Sequence, residues 1–365
     1  MSHSQINHTN ETSGMTDGDR LKLEEFLKQL VFWWKITLTF IAILIVLGNI
    51  WVLIVTWKER TLHQPNKYFI ACLAVADLLV GIFLIPPSVL IKKNSDHTSP
   101  QSTRISVHLC RFIVWIDAVA LATSIYTLTF ISLDRYLKIS KPLQYKSRMT
   151  TSRSLKVILV IVLVAISLAT YSATPNSGSY GVVDTVYGTC NFKHDPNKVK
   201  TYYVFLAFSA FFIPALIILT LYALIFRVAH KRNKMLSNGG LGQTFSDQNQ
   251  RSALRQDMKV IRMLLVVVGV FICCWGPWFS WILVWFYSRN IIEWENDSYK
   301  NVHRMNIIHL TLRTLPLFNS LCNPFIYACL DQTYREASKH LFRRMTCQPD
   351  TRGRQSTIDL HTSRI

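Results

Sequence analysis

Seven long apolar stretches constrain this chain more than any other feature. They run Lys35–Trp57, Asn66–Ile91, Val107–Ile139, Arg153–Thr174, Thr201–Ala229, Gln256–Tyr287 and Val302–Ala328. Crossing a bilayer core takes about 20 mainly apolar residues, and each stretch is long enough. Lipid offers the backbone no hydrogen bonds, so an open segment must satisfy its own, and only a helix does so. The fold class that follows is an all-α membrane protein built as a bundle of seven transmembrane helices. Pro86, Pro87, Pro175, Pro214, Pro277, Pro316 and Pro324 lie inside or at the ends of these stretches. An interior proline would cost a soluble helix about 3 kcal/mol, whereas a membrane bundle tolerates it as a kink.

Charge sets the orientation. The chain carries 40 Lys+Arg against 21 Asp+Glu, unevenly placed. Lys138 to Lys156 holds six basic residues and no acid; Arg227 to Arg262 holds eight against Asp247 and Asp257. Short basic loops stay in the cytoplasm. The N-terminus is therefore expected outside and the C-terminus inside, which agrees with an odd number of spans. The basic excess serves topology and the inner leaflet, so nucleic-acid binding is not read from it.

Four regions follow. Residues 1–32 are expected to form a polar extracellular N-terminus without a cleaved signal peptide, glycosylated at Asn7 and Asn10. Asn296 is a third acceptor by its triplet. Residues 33–330 form the bundle, with the loop Lys231–Arg255 expected to be poorly ordered around Ser237–Gly242. Residues 331–345 set apolar Tyr334, Ala337, Leu341 and Phe342 against basic Arg335, Lys339, Arg343 and Arg344. That pattern suits a short amphipathic helix on the inner leaflet. Residues 346–365 are expected to be a disordered cytoplasmic tail.

Of eight cysteines, only Cys110 and Cys190 fall on the proposed outer face. A disulfide persists there, so the pair is expected to be bonded, the plainer reading being two free thiols. Cys347 is a candidate for palmitoylation, or an ordinary exposed thiol. The tail ends Thr362-Ser363-Arg364-Ile365, which suits strand addition to a scaffold of the PDZ type.

The third stretch carries the two charges of most interest. Asp117 and Arg135 are eighteen residues apart, roughly 27 Å along a helix at about 1.5 Å per residue. One helix thus presents an acid near the outer face and a guanidinium near the inner one. Asp117 suits an ammonium ligand, with Trp275, Trp278 and Phe279 as walls for the cation. Two other readings stay open: an internal pair with Arg313, and a zwitterionic ligand bridging both charges. Asp77 lies near mid-membrane, where a carboxylate is costly and usually functional. It suits a hydrated sodium ion, or a polar network that joins helices.

Several motifs now converge, each in its own stretch: Gly48-Asn49, Leu73-Ala74-Val75-Ala76-Asp77, Cys110, Asp134-Arg135-Tyr136 with Pro142, Pro214 and Tyr222, Phe271 with Cys274-Trp275-Gly276-Pro277, and Asn323-Pro324-Phe325-Ile326-Tyr327. The set resembles the rhodopsin-like family of G-protein-coupled receptors over about residues 33 to 345. Within it, Asp117, the aromatic cluster of the sixth stretch and the segment Asp134–Thr150 look most like the biogenic-amine receptors. Five positions depart from that pattern. Ala165 stands where a tryptophan is usual, and Leu206, Ala207 and Ala210 replace the hydroxyl-binding serines. Leu317 replaces the tyrosine that usually touches the aspartate, with Arg313 one turn above it.

The resemblance implies a plasma-membrane receptor for a small cationic ligand, acting on a heterotrimeric G protein. The ligand pocket would involve Asp117, Leu121, Leu206, Ala210, Trp275, Trp278, Phe279 and Arg313. A sodium site would use Asp77, Ser124, Asn319, Ser320 and Asn323. The switch would use Asp134, Arg135, Tyr136, Tyr222, Asp257, Phe271, Pro277, Pro324 and Tyr327. Arrestin is a further partner implied in this way, and a peptide or other non-amine ligand is the alternative. A retinal Schiff base needs a lysine in Val302–Ala328, which has none. Paired repeats of the transporter kind are not visible, and no hydrolase, nucleotide-loop or metal-cluster signature appears. The chain is therefore read as a non-enzyme with no cofactor beyond the sodium ion.

Overall fold

The computed structural model describes residues 17–58, 67–90, 107–141, 144–145, 149–174, 196–238, 245–287 and 299–346. Seven long helical units occur in these ranges. The first is Asp17–Lys58. The second runs through Lys67–Leu79, a π turn Val80–Leu84 and Ile85–Leu90. The third is Val107–Ser140 and the fourth Thr151–Ser172. The fifth comprises Pro196–Ala207, a π turn Phe208–Phe212 and Ile213–Asn238. The sixth is Phe245–Tyr287 and the seventh Tyr299–Leu330. A surface helix, Gln332–Met345, follows.

Six of these are long and apolar enough to cross a membrane. The seventh falls short of that mark because Arg313, Asn319, Ser320 and Asn323 interrupt it. The third span is the axis of the bundle. Its apolar window is 72% buried, against 22% for the fourth span, which leaves most of its surface to lipid.

Two expectations are corrected. The first helix begins at Asp17, not near Lys35. Phe26, Leu27 and Leu30 carry apolar side chains into this extension. The loop Lys231–Arg255 is largely helical: the fifth helix continues to Asn238 and the sixth starts at Phe245. A helix leaving the membrane extends cheaply, one bond per residue, until a poor helix former stops it. The pair Gly239-Gly240 stands next in the sequence.

The prolines act through π turns as well as kinks. Val80–Leu84 ends one residue short of Pro86-Pro87, and Phe208–Phe212 one residue short of Pro214. A proline removes an N–H and crowds the carbonyl four residues before it. Widening the turn accommodates both: the N–H of Ile85 donates to the Val80 carbonyl, and that of Ile213 to the Phe208 carbonyl. Pro277, Pro316 and Pro324 lie within continuous helices.

The surface helix is capped by Asp331, whose side chain accepts from the backbone N–H of Tyr334 at 3.1 Å. Tyr334, Ala337 and Leu341 are buried under the bundle, whereas Phe342 is exposed. The Tyr334 hydroxyl donates to the Val52 carbonyl at 2.8 Å and also contacts the Thr56 hydroxyl. Burial raises the Tyr334 phenol above its usual range, and the nearby Asp331 charge adds to the rise. The phenol therefore stays a donor. Trp51 donates to the Ser338 hydroxyl at 2.8 Å, a second tie to the first span. Asn7, Asn10, Asn296, Cys190, Cys347 and the tail beyond residue 346 lie outside the described residues.

Asp331→Ala should destabilise the protein by about 1 kcal/mol, the usual worth of such a cap, while Asp331→Asn should retain most of it. Thermal unfolding in detergent measures both. Equal losses for the two variants would contradict the capping role.

Candidate functional site

A cavity of about 100 Å³ opens between the first, second, third, fifth, sixth and seventh spans. Asp117, Leu121, Leu206, Trp275, Trp278, Phe279 and Arg313 line it. Ala210 does not. It is buried within the π turn Phe208–Phe212, which holds one residue more per turn and so rotates the positions that follow it.

Tyr202, Tyr203, Trp34 and Leu317 line the cavity as well. The first three were not anticipated. Two adjacent tyrosines at the top of the fifth stretch were the available signal, but their facing depends on packing. Tyr202 donates to the Ser172 hydroxyl at 2.9 Å and meets Tyr203 edge-on at 5.4 Å. Tyr203 stacks on Phe286 at 5.8 Å. Trp34 donates to the Thr314 hydroxyl at 2.9 Å, joining the first and seventh spans at this level.

Asp117 and Arg313 face the same space without a direct ion pair. Among the described residues, the only ion pair with both partners in view is Arg135 with Asp134. Arg313 is near enough for its charge to be felt at Asp117. Its guanidinium also lies 5.9 Å from the centre of the Trp278 ring, within cation–π range. The wall on this side is thus charged and polarisable.

Cys110, two turns above Asp117, is disulfide-bonded, while Cys72, Cys273, Cys274, Cys322 and Cys329 are free. The bond ties the top of the third span and hence the height of Asp117.

Below the cavity floor the rings form a continuous column. Trp275 and Phe279 lie 5.7 Å apart, Phe279 and Phe211 5.3 Å, Phe211 and Phe271 5.8 Å, and Phe271 and Trp275 6.4 Å. Phe271, Phe279 and Phe211 are buried. Movement of Trp275 therefore cannot leave Phe271 undisturbed.

Deeper still sits a polar cluster. Asp77 is fully buried and accepts from Asn323 Nδ2 at 2.9 Å. Asn49 donates to the carbonyls of Ile45 and Ser320 at 2.9 and 3.2 Å. Asp77 Oδ1 and the side-chain oxygens of Asn49, Asn319 and Asn323 are buried and take no hydrogen bond from a described residue. Ser320 stands beside Asp77, and Ser124, Asn319 and Ser320 also line the lower cavity. One carboxylate among neutral oxygens is a donor set that fits a hard cation.

At the inner end, Asp134 Oδ2 lies 3.7 Å from the Arg135 guanidinium, and Tyr145 donates to Asp134 Oδ1 at 2.9 Å. All three come from one span and the loop after it. The Tyr145 contact was not foreseen, because it depends on the path of that loop. Tyr222 is buried near Ser132 and Arg135. Tyr136 packs against the core, and Tyr327 lies 5.9 Å from Tyr334. The Asp257 side chain lies outside the described residues. Pro324 approaches Gly48 so closely that a Cβ there would sit 3.0 Å from Pro324 Cγ. Pro277 keeps its place beside Trp275, with its ring exposed.

Residues 48–327 match the family described as 7 transmembrane receptor (rhodopsin family). Trace amine-associated receptor 5 of Mus musculus is 29% identical over 325 residues, spanning 88% of this chain and 86% of its own. The Homo sapiens receptor of the same name is 27% identical over 87% and 86%. Trace amine-associated receptor 6 of Homo sapiens is 29% identical over 82% and 81%.

Phe271→Ala should remove the centre of the ring column and destabilise the fold by about 3–5 kcal/mol, Phe271→Leu by clearly less. Thermal unfolding in detergent reads the difference.

Proposed function

The chain belongs to the rhodopsin family of seven-transmembrane receptors, and from that premise we propose that its ligand is a small ammonium compound held on Asp117. One observation carries this reading: a carboxylate lines a small cavity walled by Trp275, Trp278, Phe279 and Tyr203. In a space walled by such rings an ion pair is stronger than in water, and ring faces add about 0.5–2 kcal/mol for a cation. The relatives named for trace amines point the same way. The departure at Leu206 leaves that part of the wall apolar, which suits a ligand without ring hydroxyls.

The receptor sits in the plasma membrane with its N-terminus outside, so the cavity opens to the extracellular side. Ligand binding displaces Trp275, the ring column shifts, and the sixth span swings about Pro277. Arg135 then leaves Asp134, meets Tyr222, and becomes available to a heterotrimeric G protein. A ligand drives this only by binding the two arrangements unequally. Tyr145 opposes it by holding Asp134 in place.

Asp77, Asn49, Ser124, Asn319, Ser320 and Asn323 would hold a sodium ion. Its charge would offset that of the buried carboxylate and favour the inactive packing.

Asp117→Asn should raise the half-maximal concentration of any activating amine by about 30-fold or more, the scale of losing a buried charge partner. Surface expression measured by antibody should be unchanged. A full response in this variant would contradict the amine reading and favour a non-amine ligand. Separately, Tyr145→Phe should raise ligand-independent G-protein activation, whereas Arg135→Ala should abolish activation with ligand binding intact.

A further inference from the structure

A second hollow lies on the lipid side of the bundle, between the fourth and fifth spans at the end away from Arg135. It measures about 550 Å³, and Leu168 and Tyr171 of the fourth span and Lys198, Thr201, Tyr202 and Phe205 of the fifth line it. Tyr171 and Phe205 are 53% and 45% exposed, on a side where the fourth span leaves most of its surface to lipid. Their rings meet edge-on at 6.5 Å, so the two spans present one joined aromatic surface.

Polarity changes along the hollow. Lys198 is exposed at its upper end and has no ion-pair partner among the described residues. The stretch Lys193–Lys200 holds three lysines against Asp195. Lys200 is engaged, its ammonium 4.0 Å from the centre of the Tyr287 ring. The Thr201 hydroxyl is already satisfied, donating to the Asn197 carbonyl at 2.8 Å. Phe205 follows Lys198 by seven residues on the same helix, about 10 Å deeper at about 1.5 Å per residue. One end of the hollow is thus cationic and the rest apolar. A neutral lipid tail would match only the apolar part. A fatty acid carries its charge directly at the top of its chain, as Lys198 stands directly above Phe205.

Tyr202 gives this site a second neighbour. Its buried side chain lines this hollow and the Asp117 cavity alike. The hydroxyl donates to Ser172 of the fourth span at 2.9 Å, and the ring meets Tyr203 edge-on at 5.4 Å. Tyr202 is therefore a partition between the two spaces.

We infer that the hollow is a binding site for a long-chain fatty acid drawn from the membrane. Its carboxylate rests on Lys198, its chain lies against Leu168, Tyr171 and Phe205, and Tyr202 is the wall shared with the amine cavity. The inference does not depend on the amine reading of Asp117.

The test uses the full chain in lipid discs of phosphatidylcholine, one receptor per disc, and an oleate carrying a photoreactive diazirine in its chain. Mass spectrometry of the peptides locates the label. It should concentrate on residues 168–171 and 197–205, and excess plain oleate should remove it. Lys198→Glu should lower this labelling about fivefold, the scale of one lysine near a membrane surface, and Lys198→Arg should keep it. Leu168→Trp, which fills the hollow and leaves the charge in place, should lower it as well. Label spread evenly over the lipid-facing surface, or unchanged in Lys198→Glu and Leu168→Trp, would mean ordinary lipid contact and overturn the inference. Equal labelling by the matching photoreactive alcohol would remove the carboxylate's role and overturn it too. Displacement by phosphatidylglycerol as readily as by oleate would assign the site to a phospholipid instead.

Discussion

Lipid leaves the backbone no partner but itself, and the rest of this structure depends on that. Each span satisfies its N–H and C=O groups along its own axis. Where prolines break the pattern, at Pro86-Pro87 and Pro214, the chain widens into a π turn rather than leaving carbonyls bare. Each widened turn rotates what lies beyond it. In the fifth span the turn carries Ala210 into the core, with Tyr202 and Tyr203 on the cavity wall above it. The shape of the pocket is thus partly a consequence of how the backbone is repaired.

Along the third span, polar groups occur at three depths and each is handled differently. Asp117 faces a cavity. Asp77, from the second span, is enclosed by amides and hydroxyls beside Ser124. Asp134 is buried at the inner end, where Arg135 and Tyr145 meet it. Between these levels lies close-packed aromatic and aliphatic side chain. Such packing does not deform gradually, so a displacement at one level must be answered at the next. The anchoring of Tyr334 under the first span holds the inner end against which this motion works.

Much of the site was legible because charged residues in a membrane are rare and stand out. Asp77, Asp117, Arg135 and Arg313 could all be picked from the sequence on that ground. The aromatic residues Trp275, Trp278 and Phe279 were legible from their clustering in one stretch. Tyr203 and Trp34 were not, since an aromatic residue near a span end is equally at home facing lipid. The helical extension at Asp17 was missed for a related reason: hydropathy marks where a helix enters lipid, not where it starts.

The sequence by itself determined the number of spans and supplied the expectation for their direction. Those follow from local quantities: apolar length, and the count of basic residues between stretches. Only the tertiary structure decided that Asp117 and Arg313 share one cavity without a direct ion pair between them, and that Tyr203 lines it with them. Those facts depend on the rotation of six helices about their own axes. Packing and two π turns set that rotation, and no single stretch carries it.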